Sequence, residues 1–207
     1  MLKVQKKINQ LINKRQYYNS YFNRCINKYK KIENYYSLYE EFKGEIKSVK
    51  TSEIINHSSK IFFGVDLYDA KKNIDVPYRL KVNKKLCDII FYKTKLDSHK
   101  IIVELHFFKK KLVFFKYLFP TTVNRPKIEE RVKKKYLKNS NTFCNKSNLI
   151  VDEKNNYLRI ENEVSLTLNY YSLEFDFFKS LKKYQMINNY ENFQKKQYRT
   201  KKFNEII

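Results

Sequence analysis

Apolar residues recur at helical spacing at the start of the chain, where Val4, Ile8, Leu11 and Ile12 predict a helix from Val4 to Lys14. Gln16 to Phe22 is aromatic-rich and reads as a strand. Helical spacing returns between Cys25 and Phe42 through Ile26, Tyr29, Ile32, Tyr36, Leu38 and Tyr39. Gly44 follows, where a helix C-terminal cap is expected, and Glu45 to Val49 looks extended. Ile61 to Tyr68 and Val76 to Val82 predict two strands around the polar run Asp69 to Asp75, and Leu86 to Tyr92 adds a short apolar piece. Ile101 to Phe108 and Leu112 to Phe119 predict a hairpin around Lys109, Lys110 and Lys111. Pro120 to Pro126 breaks the pattern and is the expected domain boundary.

Beyond that break, Ile128 to Leu137 predicts a short basic helix. A small polar loop, Cys144 to Asn148, precedes the apolar triplet Leu149 to Val151, and Asp152 opens a charged segment. Val164, Leu166 and Leu168 then alternate with Ser165 and Thr167, as in a strand with one apolar face. Tyr170 to Phe178 reads as a further strand, followed by a polar, aromatic and basic tail to Ile207. The longest apolar run, Leu112 to Phe119, is broken by Lys116 and is far below membrane-spanning length.

Charge changes this picture more than any single motif. The 207 residues carry 44 Lys and Arg against 21 Asp and Glu, a net charge of +23, and the commonest partner for such an excess is a polyanion. Aromatic residues make up 16%, which excludes a disordered basic tail and suits stacking on unpaired bases. With 2 Gly, 3 Pro, no Trp and Ala70 as the single alanine, the composition also carries the mark of AT-rich codons, typical of organelle genomes. That bias raises Lys over Arg, but it does not make acids half as numerous as bases. Cys25, Cys87 and Cys144 lie far apart with no histidine at metal spacing, so neither a metal site nor a disulfide framework is expected. The basic amphipathic start has the character of a mitochondrial presequence, and Met1 is read as an uncleaved start.

Catalytic chemistry finds little to build on. His57 lies in a polar loop, while His99 and His106 flank a strand, and all three read as structural. No carboxylate pair or nucleophile elbow is visible, and two glycines, Gly44 and Gly64, leave no phosphate-cradling loop. The chain is therefore read as non-catalytic, with no cofactor and no small-molecule substrate.

Three stretches in order resemble the small-subunit ribosomal protein eight family. Cys144-Asn-Lys-Ser-Asn148, followed by Leu-Ile-Val-Asp152, stands where the family has Ser-Thr-Ser-Lys-Gly and Val-Met-Thr-Asp. Glu163 heads the alternating strand at the family's spacing, without a gap. Upstream, Asn-Arg125-Pro126 is similar to the family's Ser-Arg-Pro-Gly, and Glu41-Phe-Lys-Gly44-Glu-Ile46 to the end of its second helix. Asn148 replaces a glycine, and Asn is the side chain that best tolerates a left-handed turn.

The resemblance implies an α+β protein. A two-helix, small-sheet N-terminal domain (1–50 and 99–122) would be interrupted by a β insertion at 51–98. A short helix is expected after Asp152, within a β-rich, RNA-binding C-terminal domain at 123–171, and a basic extension covers 172–207. It also implies binding to the central domain of small-subunit ribosomal RNA, beside neighbouring ribosomal proteins, in a mitochondrial ribosome and without membrane insertion. The expected RNA-facing groups are Asn145, Lys146, Ser147 and Asn148 in the loop, Arg125 forking to a phosphate, and the run Lys133, Lys134, Lys135 with Tyr136 as a stacking ring. Lys14 and Arg15 at the first helix end and Glu163, an acid in a basic site, complete the set. The rival reading is a basic accessory subunit of a mitochondrial respiratory-chain complex.

Overall fold

The computed structural model describes residues 21–30, 32–36, 48–82, 86–96, 99–137 and 148–204, the last helix without side chains at 188, 191–193 and 195–204. It is an α+β fold built on one eight-stranded sheet. In chain order the strands are β1 (Val49–Lys50), β2 (Tyr78–Lys81), β3 (Cys87–Leu96), β4 (His99–Phe108), β5 (Lys111–Leu118), β6 (Leu149–Val151), β7 (Asn156–Asn162) and β8 (Leu166–Ser172). Among the described residues the helices α1 (Leu67–Lys72), α2 (Arg125–Tyr136) and α3 (Phe177–Asn204) accompany them. Residues 21–28 and 33–36 are also helical.

The sheet order is β1-β6-β7-β8-β5-β4-β3-β2; among the described strands β1 and β6 pair parallel and every other neighbouring pair is antiparallel. The strands expected in separate N-terminal, inserted and C-terminal units are thus hydrogen-bonded side by side. One apolar cluster, including Ile90, Leu105, Phe115, Ile128, Leu158 and Leu168, runs across all three.

The expected hairpin forms as β4–β5. Its turn is Lys109 and Lys110, with φ of 48° and 68°, the left-handed pair that matches strand twist in two-residue hairpins. In the middle of the sheet both faces are covered. On β3, Ile90 and Tyr92 point to the cluster closed by α1 and α2, while Ile89 and Phe91 point to a second cluster with Cys25, Tyr29, Phe177 and Leu181. This explains why Ile89–Tyr92 and Leu112–Phe115 read as continuous apolar runs rather than alternating ones.

Several elements differ from the sequence expectation. Tyr21 and Phe22 begin a helical turn rather than ending a strand, because Phe22, Cys25, Tyr29 and Ile32 put one helical stripe on the second cluster. The stretch read as a strand from Ile61 to Tyr68 is a turn followed by α1, started by the Asp66 carboxylate accepting from Tyr68 N at 2.8 Å. Gly64 takes φ +83° in that turn. Pro120 to Pro126 does not separate two cores. Asn124 caps α2, whose Ile128 and Tyr136 pack on the same sheet. Val164 is 81% exposed in the turn before β8, and β8 ends at Ser172, whose hydroxyl takes the Glu174 amide as the chain turns into α3.

The helix implied between Asp152 and Glu161 is replaced by strand β7. Asp152 Oδ1 accepts from the amides of Lys154 and Asn156, both at 2.9 Å, and Asn155 adopts φ 56°. This tight turn sends the chain straight back along β6, with Leu158 and Ile160 in the core. The same carboxylate accepts from Ile55 N at 2.9 Å and Asn156 Nδ2 at 3.0 Å through Oδ2. Four donors on one buried side chain tie the β6–β7 turn to the loop beneath it.

Candidate nucleic-acid interface

Helix α2 carries the basic run picked out in the sequence. Ile128, Val132 and Tyr136, at four-residue spacing, form the stripe that packs on the sheet. Tyr136 is therefore 3% exposed and belongs to the core; it is not a stacking ring for bases. The cations occupy the remaining faces, where Lys134 pairs with Glu130 at 2.9 Å. The Lys135 ammonium lies 4.7 Å over the Tyr136 ring, and Lys133 is half-buried.

Arg125 does not present an open fork to solvent. Its Nη1 donates to Asn162 Oδ1 at 3.1 Å and Glu163 O at 2.9 Å, and its Nη2 donates to Val164 O at 2.7 Å. The guanidinium fastens the start of α2 to the β7–β8 turn, with Asn162 Nδ2 returning a bond to Glu129 at 2.6 Å. Arg125 and Glu163 are thus brought together, but through the Glu163 carbonyl, and the Glu163 residue itself is exposed. Asn148 is exposed at the entry to β6, where its carbonyl accepts from Ile160 N at 2.8 Å. Lys14, Arg15, Asn145, Lys146 and Ser147 lie outside the described residues.

Acids and bases are distributed unequally. Asp88, Glu104 and Asp152 are buried, whereas no described lysine or arginine is. Asp88 meets Lys110 at 2.6 Å beside the hairpin turn. Placing carboxylates inside removes them from the surface field, so the solvent-facing charge is more one-sided than the composition.

Two polar clusters, the first buried and the second part-buried, carry no motif in the sequence. In the first, Glu104 accepts from Tyr21 Oη and from Cys25 Sγ at 3.2 Å. It also meets His106 Nε2 at 3.3 Å, and the Tyr35 hydroxyl lies 2.7 Å from His106 Nδ1. Burial opposes ionisation of Glu104, but the His106 hydrogen bond, the Lys116 charge and the Tyr21 bond hold its carboxyl below the usual carboxylate range. His106 is held neutral by its own burial. Its Nε2–H therefore donates to the carboxylate while Nδ1 accepts from Tyr35. Burial, then the Glu104 charge, pushes the Cys25 thiol well up, so it is a protonated donor rather than a nucleophile. The sequence signal was two polar residues at i and i+2 within an apolar strand.

In the second cluster, His57 Nδ1 lies 2.6 Å from Tyr117 Oη and His57 Nε2 lies 2.6 Å from Tyr92 Oη. Burial lowers the His57 pKa to about 4. The imidazole lines two cavities on the α2 side of the sheet. One, of about 260 Å³, includes Asn73, Asp75 and Thr94 in its lining. The other, of about 220 Å³, lies under α2 with Tyr117, Phe119 and Tyr170 in its lining and Arg131 and Lys135 at its edge.

Among the described residues no group of His, Cys, Asp or Glu is arranged to hold a metal ion, and no helix is long and apolar enough to cross a membrane. Comparison with protein families, with curated proteins and with solved structures finds no match.

Proposed function

We propose that the chain is a non-catalytic RNA-binding protein that holds folded RNA through its phosphates. Its resemblance to the small-subunit ribosomal protein eight family makes that RNA the central domain of a mitochondrial small-subunit ribosomal RNA. The observation that supports RNA binding is the partition of charge: three acids inside, every described Lys and Arg reaching solvent, and a net +23. Such a surface binds a polyanion by displacing its counterions, and that mechanism leaves a measurable trace. A protein with 6–10 phosphate contacts loses roughly 10³–10⁵-fold in affinity between about 50 and about 200 mM salt. Filter binding of the purified chain to small-subunit RNA across that range tests the proposal, and a flat salt response refutes it. Sedimentation after detergent extraction tests the assignment to the ribosome. The chain should travel with the small ribosomal subunit, and recovery with a respiratory membrane complex would favour the accessory-subunit reading instead.

A further inference from the structure

We infer that the 220 Å³ cavity under α2 receives one unpaired base of the bound RNA. This rests on the RNA-binding reading and names the part of the RNA that the site takes. The cavity is smaller than the roughly 300–1,000 Å³ typical of cofactor and drug-sized ligand sites, so its size suits a single flat ring system.

Its walls supply aromatic faces. Tyr170 stacks on Phe115 at 4.4 Å, and Tyr117 lies 5.2 Å from Tyr170, its hydroxyl held by His57. These rings are fixed before any ligand arrives, so stacking a base on them orders little protein. Asn56 is also in the lining, and its side-chain amide is of a type that can both donate to and accept from a base edge.

The cation placement matches a nucleotide rather than an apolar ligand. Arg131 and Lys135 lie four residues apart on α2, beside the Ile128, Val132 and Tyr136 stripe, and both are exposed while lining the cavity. They therefore stand where the cavity meets solvent, the position of the phosphate on a base inserted from outside. A duplex keeps its bases stacked and paired, so only single-stranded or bulged RNA can fill the site.

The test uses the full chain at low salt, with a single-stranded RNA and a duplex of equal phosphate count. Val132→Phe narrows the cavity from α2 without changing charge. It should weaken single-strand binding about ten-fold and leave duplex binding unchanged, with folding checked by circular dichroism. Arg131→Glu with Lys135→Glu should weaken single-strand binding by more than duplex binding. In parallel, 4-thiouridine placed in the single strand should crosslink to the peptides holding Tyr117 and Tyr170, a readout that needs no variant. If Val132→Phe folds and binds both RNAs as the parent does, or if crosslinks map only elsewhere, the cavity holds no base and RNA binding by the surface still stands. If the parent binds neither RNA, both this inference and the RNA-binding proposal fall.

Discussion

Below neutral pH, His57 should cost this protein stability. Its imidazole sits between Tyr92 and Tyr117 with both nitrogens 2.6 Å from a hydroxyl, and burial lowers its pKa from 6.5 to about 4. A neutral ring donates to one tyrosine and accepts from the other, whereas a protonated ring has no acceptor. The folded pKa lies below the unfolded one, so the unfolded chain binds more protons between about pH 6.5 and pH 4. The contribution is complete above that window and is lost as pH falls through it. Evaluated for those two pKa values, the loss from His57 between about pH 7 and about pH 5 is roughly 2 kcal/mol. Buried His106 adds to the same decline, so the comparison has to be made against His57→Gln, which cannot titrate. Urea unfolding of parent and variant at both pH values, at constant ionic strength, gives the difference directly. The variant should be about 1–3 kcal/mol less stable near pH 7, where a tyrosine hydroxyl loses its partner. Its further decline towards pH 5 should be about 2 kcal/mol smaller than the parent's. Equal declines, or an NMR titration placing folded His57 near its ordinary value, would refute the reasoning.

Other outcomes follow from single contacts. Gly64→Ala should destabilise by about 2 kcal/mol or more in urea unfolding, because Gly64 has φ +83° and an added Cβ would lie 2.5 Å from Phe175 Cζ, leaving Phe175 to move. Asp152→Ala should cost roughly 3 kcal/mol by stranding four donors, and hydrogen exchange at Ile55, Lys154 and Asn156 should rise first; unchanged protection there would sink the idea. The Glu104 carboxyl is held below its ordinary 4.5 in the fold, so its contribution to stability is present above about pH 4.5 and lost as pH falls through the lowered folded value. Glu104→Gln should flatten that acid limb. For RNA, replacing Asn145, Lys146 and Ser147 together with Ala should weaken binding more than replacing Lys195 and Lys196; equal losses in filter binding would move recognition to the tail.

Local pattern carried far into this fold where the pattern was itself local. The β4–β5 hairpin was readable because two apolar runs flank a three-lysine break. Helix α2 is the short basic helix expected over Ile128 to Leu137, but it starts at Arg125, with Pro126 of the expected break inside its first turn. The Asp66 cap was missed because Phe62 and Phe63 suggest a strand on propensity, and nothing nearby shows that Gly64 turns the chain against Phe175. Strand β7 replaces a helix that only the family resemblance implied; the turn that forms it depends on an amide of the 51–55 loop nearly a hundred residues away.

The same division separates the site residues. A lysine run on a helix is solvated whatever it packs near, so Lys134 and Lys135 stayed on the surface as expected. Tyr136 went inside because it falls on the stripe with Ile128 and Val132, and Arg125 was used up by a turn that arrives from β7. What the sequence determined by itself is the charge excess, the β4–β5 hairpin and the basic helix α2, since these depend on neighbours within a few residues. Only the tertiary structure decided that one sheet runs through all the strands, that both of its faces are covered, and that Asp88, Glu104 and Asp152 lie inside while the cations remain in water. The physical reason is desolvation. A carboxylate can be buried only where amides, hydroxyls or a cation converge on it, and those donors come from segments far apart in the chain.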